Sequence, residues 1–178
     1  RQKVEEHVNR CMELANVRSL CMTNSPFDDL ERPVWERGFG CGDRFTTALR
    51  IDPLLVAWPQ TAPQLAAWGY AVGPDLNERT VDEVRRFLAD WTRRINPRYV
   101  MVSLEPDFSY PVTQPVSSLL QRAVLPHCRE FGLPLAVMLG VRRAVNPRLR
   151  LAGDGVGLSD LTSLQRLCAE HPGNKFLA

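Results

Sequence analysis

The strongest constraint on the fold is a rhythm: short apolar runs of strand length separated by stretches of helical period. Val17 to Met22, Phe45 to Arg50, Tyr99 to Leu104 and Leu135 to Leu139 are such runs, and Lys175 to Ala178 begins one more. The run YVMVSL from Tyr99 to Leu104 is apolar almost throughout, as a parallel strand buried on both faces requires. Strand, helix and strand in succession imply right-handed crossovers, so the class is α/β with a parallel sheet. The rhythm itself suits an open doubly wound sheet and a closed barrel equally.

The intervening stretches carry the helices. Residues 1 to 15 place Val4, Val8, Cys11, Met12 and Ala15 on one face, with Asn16 suited to the C-terminal end. Pro53 can open a helix that continues, broken, through Leu54, Leu55, Trp58, Leu65, Ala66 and Trp68 to Gly69. After a surface loop from Asp75 to Glu78, Thr80 and Glu83 have the spacing of a capping box. They open a stripe of Val81, Val84, Phe87, Leu88, Trp91 and Ile95, with Arg85, Arg86, Arg93 and Arg94 on a solvated face. Leu119 to Phe131 is helical in period but contains Pro126, which kinks or divides it. Ser159 can cap a last helix with Leu161, Leu164, Leu167 and Cys168 inward, ended by His171-Pro-Gly173.

Composition narrows the function classes. A chain of 178 residues, 44% hydrophobic, can bury a core as a single domain, 1–178. A net charge of +2 from 22 basic and 20 acidic residues, without a basic stripe, argues against a nucleic-acid partner. No segment reaches the roughly 20 apolar residues of a membrane span. The five cysteines lack CxxC spacing and lie mostly in apolar segments, where they read as small hydrophobes in a reducing cytoplasm. The three histidines, His7, His127 and His171, show no metal-ligand spacing and read as helix-surface or helix-end residues. The chain opens on a helix with no strand before it and shows five strands, where eight βα units typically take about 250 residues. It reads as a piece of something larger.

Chemistry in such folds sits at strand ends. In the second run Phe45, Thr47, Leu49 and Ile51 point one way, and Thr46, Ala48, Arg50 and Asp52 the other. An inward guanidinium among small residues must find an acceptor, so Arg50 is either an anion clamp or a partner of Asp52 or Asp28 that props up a loop. The long loops after the first and fourth runs hold Asp28 and the pair Arg142-Arg143. The glycine-rich AGDGVG lacks the features of a phosphate loop and reads as a flexible turn.

The ordered strings TNSPFDDLE, LRIDP, WGY, VSLEPDFSYP, LGVRRAVNP and AGDGVG resemble the middle of the uronate (glucuronate) isomerase family, a branch of the amidohydrolase superfamily. The resemblance implies an incomplete TIM-type (β/α)8 barrel and a cytoplasmic enzyme of carbohydrate metabolism. Its reaction would interconvert D-glucuronate and D-fructuronate, or the galacturonate and tagaturonate pair. It implies zinc or another divalent metal in the complete enzyme, held by an HxH motif and a late Asp that this chain lacks. By the same resemblance Arg50 is the Arg of an R-x-D motif and binds substrate, while Asp28, Arg142 and Asp154 fall in active-site loops. Met138 stands where many members place a His. The expected partners are a sugar acid and either missing segments or a second copy to complete the barrel, and the segment alone should bind no catalytic metal and show little activity. The alternatives are a metal-dependent hydrolase of the same superfamily and a non-catalytic α/β assembly module.

Overall fold

A computed structural model describes residues 3–40, 42–111 and 115–178. Helix α1 (Val4–Leu14) leads into β1 (Leu20–Asn24), and α2 (Arg32–Glu36) lies in the loop before β2 (Phe45–Arg50). Helices α3 (Asp52–Val56), α4 (Trp58–Ala67) and α5 (Glu78–Ile95) precede β3 (Val100–Leu104). Next come α6 (Pro115–Leu119), a π-helical turn (Leu120–Val124), α7 (Leu125–Glu130) and β4 (Leu135–Leu139). A small hairpin of β5 (Val141–Arg142) and β6 (Gly155–Val156) encloses a 3₁₀ turn, and α8 (Thr162–Glu170) leads to β7 (Phe176–Leu177).

The main sheet has the order β1-β2-β3-β4-β7, every neighbouring pair is parallel, and the sheet is not closed. The expected adjacency of the four long strands therefore holds, with all their C-terminal ends on one side. The first strand runs later than the apolar run suggested. Val17 still donates to the Met12 carbonyl at the end of α1, and the ladder begins only where Leu20 donates to Arg44 O, so Asn24 enters the sheet.

The register puts Leu49, Val100 and Leu135 on one face, followed by Val102, Val137 and Leu104. These pack against Val81, Val84, Phe87, Leu88, Trp91 and Ile95 of α5, all buried as the stripe implied. Thr47 shares that face, its hydroxyl donating to the Ile95 carbonyl at 2.6 Å. Arg85, Arg86, Arg93 and Arg94 of α5 are exposed, as expected.

Several helix ends differ from their sequence reading. Asn77 caps α5, its side chain accepting from Thr80 N at 2.9 Å; Thr80 faces the core, and the Glu83 carboxylate instead accepts from Ala71 N. The capping box is thus replaced by an ordinary Asn cap one turn earlier. Pro126, which has no N–H to give, lies in the first turn of α7 behind the π-helical turn, and the helix is re-registered, not ended. Ser159 does not cap α8; Asp160 accepts from Thr162 N, and of the four residues expected inward only Leu167 is fully buried. Ser163 takes the other inward place, accepting from Tyr110 N at 2.9 Å.

In α1 only Met12 is buried, while Val4 and Leu14 stay exposed, because this helix flanks the edge strand β1. Cys11, Cys21 and Cys168 are exposed rather than core hydrophobes; Cys128 is buried, and Cys41 lies outside the described residues. His7 and His171 occupy a helix surface and a helix end, but His127 is buried, its ring hydrogen-bonded to Thr92 Oγ1 at 2.9 Å.

The AGDGVG stretch is not a loose turn. Gly140, at φ +88°, accepts from Gly157 N, and a Cβ on Gly140 would come within 2.5 Å of Gly157 O. A Cβ on Gly157 would meet Pro106 at 2.7 Å and Arg142 Nε at 2.8 Å. Glycine stands here because two backbones and an arginine approach too closely for a side chain.

Candidate functional site

At the C-terminal ends of β2, β3 and β4 the sheet gathers a charged cluster. Arg50 is the last residue of β2, on the face shared with Ala48 and opposite Leu49. Its Nε donates to Asp52 Oδ2 at 2.8 Å, and its Nη2 lies 2.6 Å from the same oxygen. The backbone turns into α3 at Ile51, which brings Asp52 back over the strand end. There its Oδ1 accepts from Ser103 N, on the next strand, at 2.8 Å.

A second guanidinium completes the cluster. Arg143, just after β5, places Nη2 at 3.3 Å from Asp52 Oδ2 and donates to the Ser103 carbonyl at 2.9 Å. Its Nη1 lies 3.9 Å from Glu105 Oε1, an ion-pair distance too long for a hydrogen bond. The Asp52 side chain is only 8% exposed. A buried carboxylate is costly unless paired, and here an N–H and two guanidinium groups compensate it. Arg50, Asp52 and Arg143 together carry one net positive charge, and Arg143 also lines a cleft of about 380 Å³ with Glu105, Pro106, Asp107, Val141 and Arg142.

One edge of Arg50 remains. Asp52 takes the side-on edge formed by Nε and Nη2, while Nη1 makes no hydrogen bond within the described residues and the side chain is 37% exposed. The end-on Nη1/Nη2 edge has the fork geometry that receives a carboxylate through two parallel hydrogen bonds.

The other sequence candidates lie apart from this pairing. Asp28 Oδ1 accepts from Leu30 N at 2.8 Å and Glu31 N at 3.0 Å, holding the turn before α2. Asp154 Oδ1 accepts from Ala144 N at 2.8 Å and closes the β5–β6 hairpin. Arg142 is exposed and lines the cleft, but Arg143 makes the contact to Asp52. Of Asp52 and Asp28, the two acceptors open to Arg50 in the sequence, the structure uses Asp52. Arg143 and Ser103 were not singled out by the sequence. The doubled arginine was the available signal, and choosing between its members requires the register of β5, which its two residues do not reveal.

A metal does not fit these residues. Among the described residues no three His, Cys, Asp or Glu side chains come together as ligands. The nearest carboxylates to the cluster, Asp52 and Glu105, already face guanidinium groups.

No family model and no curated protein matches the chain. Solved structures do. The chain is 42% identical to a uronate isomerase from Bacillus halodurans, with a TM-score of 0.94, over 98% of this chain and 42% of that one. A glucuronate isomerase from Caulobacter crescentus shares the fold at TM-score 0.59 and 16% identity, over 94% of this chain and 41% of that one. A uronate isomerase from Thermotoga maritima does so at 0.64 and 15%, over 96% and 47%. The unclosed α/β sheet is accordingly an incomplete TIM-type barrel, similar over nearly its whole length to part of a uronate isomerase, and the chain spans about two-fifths of the length of that Bacillus halodurans relative.

Proposed function

We propose that the chain supplies the carboxylate-binding part of a uronate isomerase acting on D-glucuronate and D-fructuronate, or on the galacturonate and tagaturonate pair. The observation that carries this reading is the free end-on edge of Arg50 at the C-terminal mouth of the sheet. Interconversion of an aldehydic and a keto sugar moves a proton between adjacent carbons through an enediolate. It needs a base, a group to stabilise the oxyanion, and a hold on the rest of the substrate. Arg50 meets the last requirement: a two-point bond to the C6 carboxylate fixes the far end of the sugar, so that the reacting carbons are presented in one orientation. The base is not assigned to any residue of this chain.

Nothing in the structure favours a metal-dependent hydrolase or a non-catalytic assembly module. Among the described residues no helix is long and apolar enough to cross a membrane. The free cysteines among the described residues, Cys11, Cys21, Cys128 and Cys168, support a cytoplasmic placement. Turnover tests the reading. The complete enzyme, rather than this segment alone, should isomerise D-glucuronate and leave amide and lactone substrates untouched; hydrolysis of either without isomerisation would replace it with the hydrolase reading.

A further inference from the structure

We infer that Asp52 and Arg143 form a positioning pair that aims Arg50, so that the loop after β4 sets how tightly an acidic sugar is held. The inference rests on the reading of Arg50 as a carboxylate clamp. A carboxylate beside an anion-binding guanidinium is at first sight a defect, because it halves the positive charge of the pair of arginines. Its placement argues otherwise. Asp52 is buried and cannot swing: Ser103 N holds Oδ1, and Arg143 Nη2 approaches Oδ2 while also donating to the Ser103 carbonyl.

Oδ2 then takes both Nε and Nη2 of Arg50. Two donors converging on one fixed oxygen restrain the rotation of the guanidinium plane, which a long, partly exposed arginine would otherwise sample freely. The only fork left open is the end-on one. Arg143 is bolted to β3 and to Asp52 at once, so the hairpin loop, which is held tightly by Gly140 and Gly157, is joined to the clamp through two charge-assisted contacts.

Charge neutralisation and positioning predict opposite signs. If Asp52 only offsets charge, Asp52→Asn raises the net charge of the cluster from +1 to +2 and tightens an acidic sugar. If it positions Arg50, the same change frees the guanidinium and weakens binding. The experiment measures Kd for D-glucuronate and for D-glucose by calorimetry on the complete enzyme, with KM and kcat, for the parent, R50K, D52N, R143K and the doubles R50K/D52N and R50K/R143K.

The expected result is D-glucuronate binding weakened about tenfold or more by D52N, with KM rising and kcat little changed. D-glucose binding should not move, and D52N should add nothing in the R50K background. R143K, which keeps the charge but loses the fork, should act in the same direction and be equally silent beside R50K. Tighter D-glucuronate binding in D52N, or effects that add to R50K in full, would overturn the positioning role while leaving the clamp intact. Unchanged binding in R50K itself would remove the clamp reading, and this inference with it. Should D52N not fold, R143K decides alone: coupling to R50K supports positioning, and additivity refutes it.

Discussion

On the helix-covered face of the sheet Leu49, Val100, Val102 and Leu135 are fully buried, whereas the residues alternating with them include Arg50, Met138 and Leu177, at 37% for the Arg50 side chain and 49% and 47% for the other two residues. The same strands serve both faces. Every second residue is committed to a core built with α5, and the residues between are released from that duty. They can be small, as Ala48 is, or charged, as Arg50 is. The difference also explains why the charged cluster sits where it does: at the ends of β2 and β3 backbone and side-chain groups of two strands come within reach of Asp52, while farther along, on β4 and β7, the open face carries the apolar residues Ala136, Met138 and Leu177, partly or largely exposed.

If the covered face carries the stability, truncation there should be the most damaging change in the chain. Phe87 is fully buried and lies within 6.4 Å, ring centre to ring centre, of Phe27, Trp68, Tyr70 and Trp91. Phe87→Ala should cost about 3–5 kcal/mol, read as a shift in the denaturation midpoint at constant slope. A loss below about 1 kcal/mol would mean that the aromatic cluster is not the centre of the core.

The same helix layer should make the fold acid-sensitive. Burial, helped by the charge of Arg93, pushes the His127 imidazole down from its ordinary value to about 4. Above the ordinary histidine pKa of about 6.5 both folded and unfolded chains hold it neutral and nothing is lost. Between that value and about 4 the unfolded chain binds a proton that the folded chain refuses, so stability falls with pH and levels off below about 4. The full loss is on the order of 3 kcal/mol from this one group. His127→Asn should flatten the slope between pH 7 and 4.5 in urea titrations; an unaltered slope would assign the acid sensitivity elsewhere.

These contrasts show what the sequence could and could not disclose. Strands β2 and β4 and the buried stripe of α5 were legible because periodicity reports burial directly, and the face of Arg50 followed from the alternation of β2. Where a local signal competed with a tertiary contact, the contact prevailed. Thr80 has a capping side chain but is drawn into the core, leaving the cap to Asn77. At Val17 one local signal overrode another: the residue is apolar enough for a strand, but with Asn16 at φ 52° its N–H closes the end of α1 on Met12 O. The hairpin β5–β6 is two residues on each side and too short to have a period, so neither its existence nor the choice of Arg143 over Arg142 was written in the pattern. Of the site, Arg50 and its possible partner Asp52 were visible; the cross-strand bonds to Ser103 and Arg143 depend on distances between elements far apart in the chain.

On the open face the proposed clamp, Arg50, is the position where a conservative change should matter. Arg50→Lys keeps the charge but removes the planar fork, and should lower kcat/KM for a uronate by the roughly 1.5–3 kcal/mol of a hydrogen bond to a charged group, with little change in the unfolding midpoint. Full activity in the lysine variant would show that a point charge suffices and that the free fork of Arg50 is incidental.

The smallest effect should come from Met138, and it tests the comparison most sharply because the residue sits on a central strand. Its neighbours along β4, Val137 and Leu135, are buried on the other face, and its backbone belongs to the same ladder. Position in the sequence alone would therefore suggest a core residue. Yet Met138 is half exposed, and its sulfur has only a weak contact, at 4.0 Å, from the Ser103 hydroxyl. A flexible thioether that is half in water loses little when shortened, since much of its apolar surface was never removed from solvent. Met138→Ala in this chain should cost less than about 1 kcal/mol, against the 2–5 kcal/mol expected for a buried methionine. Val137→Ala, one residue away and buried, should cost more despite deleting a smaller side chain. Denaturation of the two variants side by side decides the matter: if the order is reversed, the open face is covered in solution, and the division of labour between the two faces does not hold.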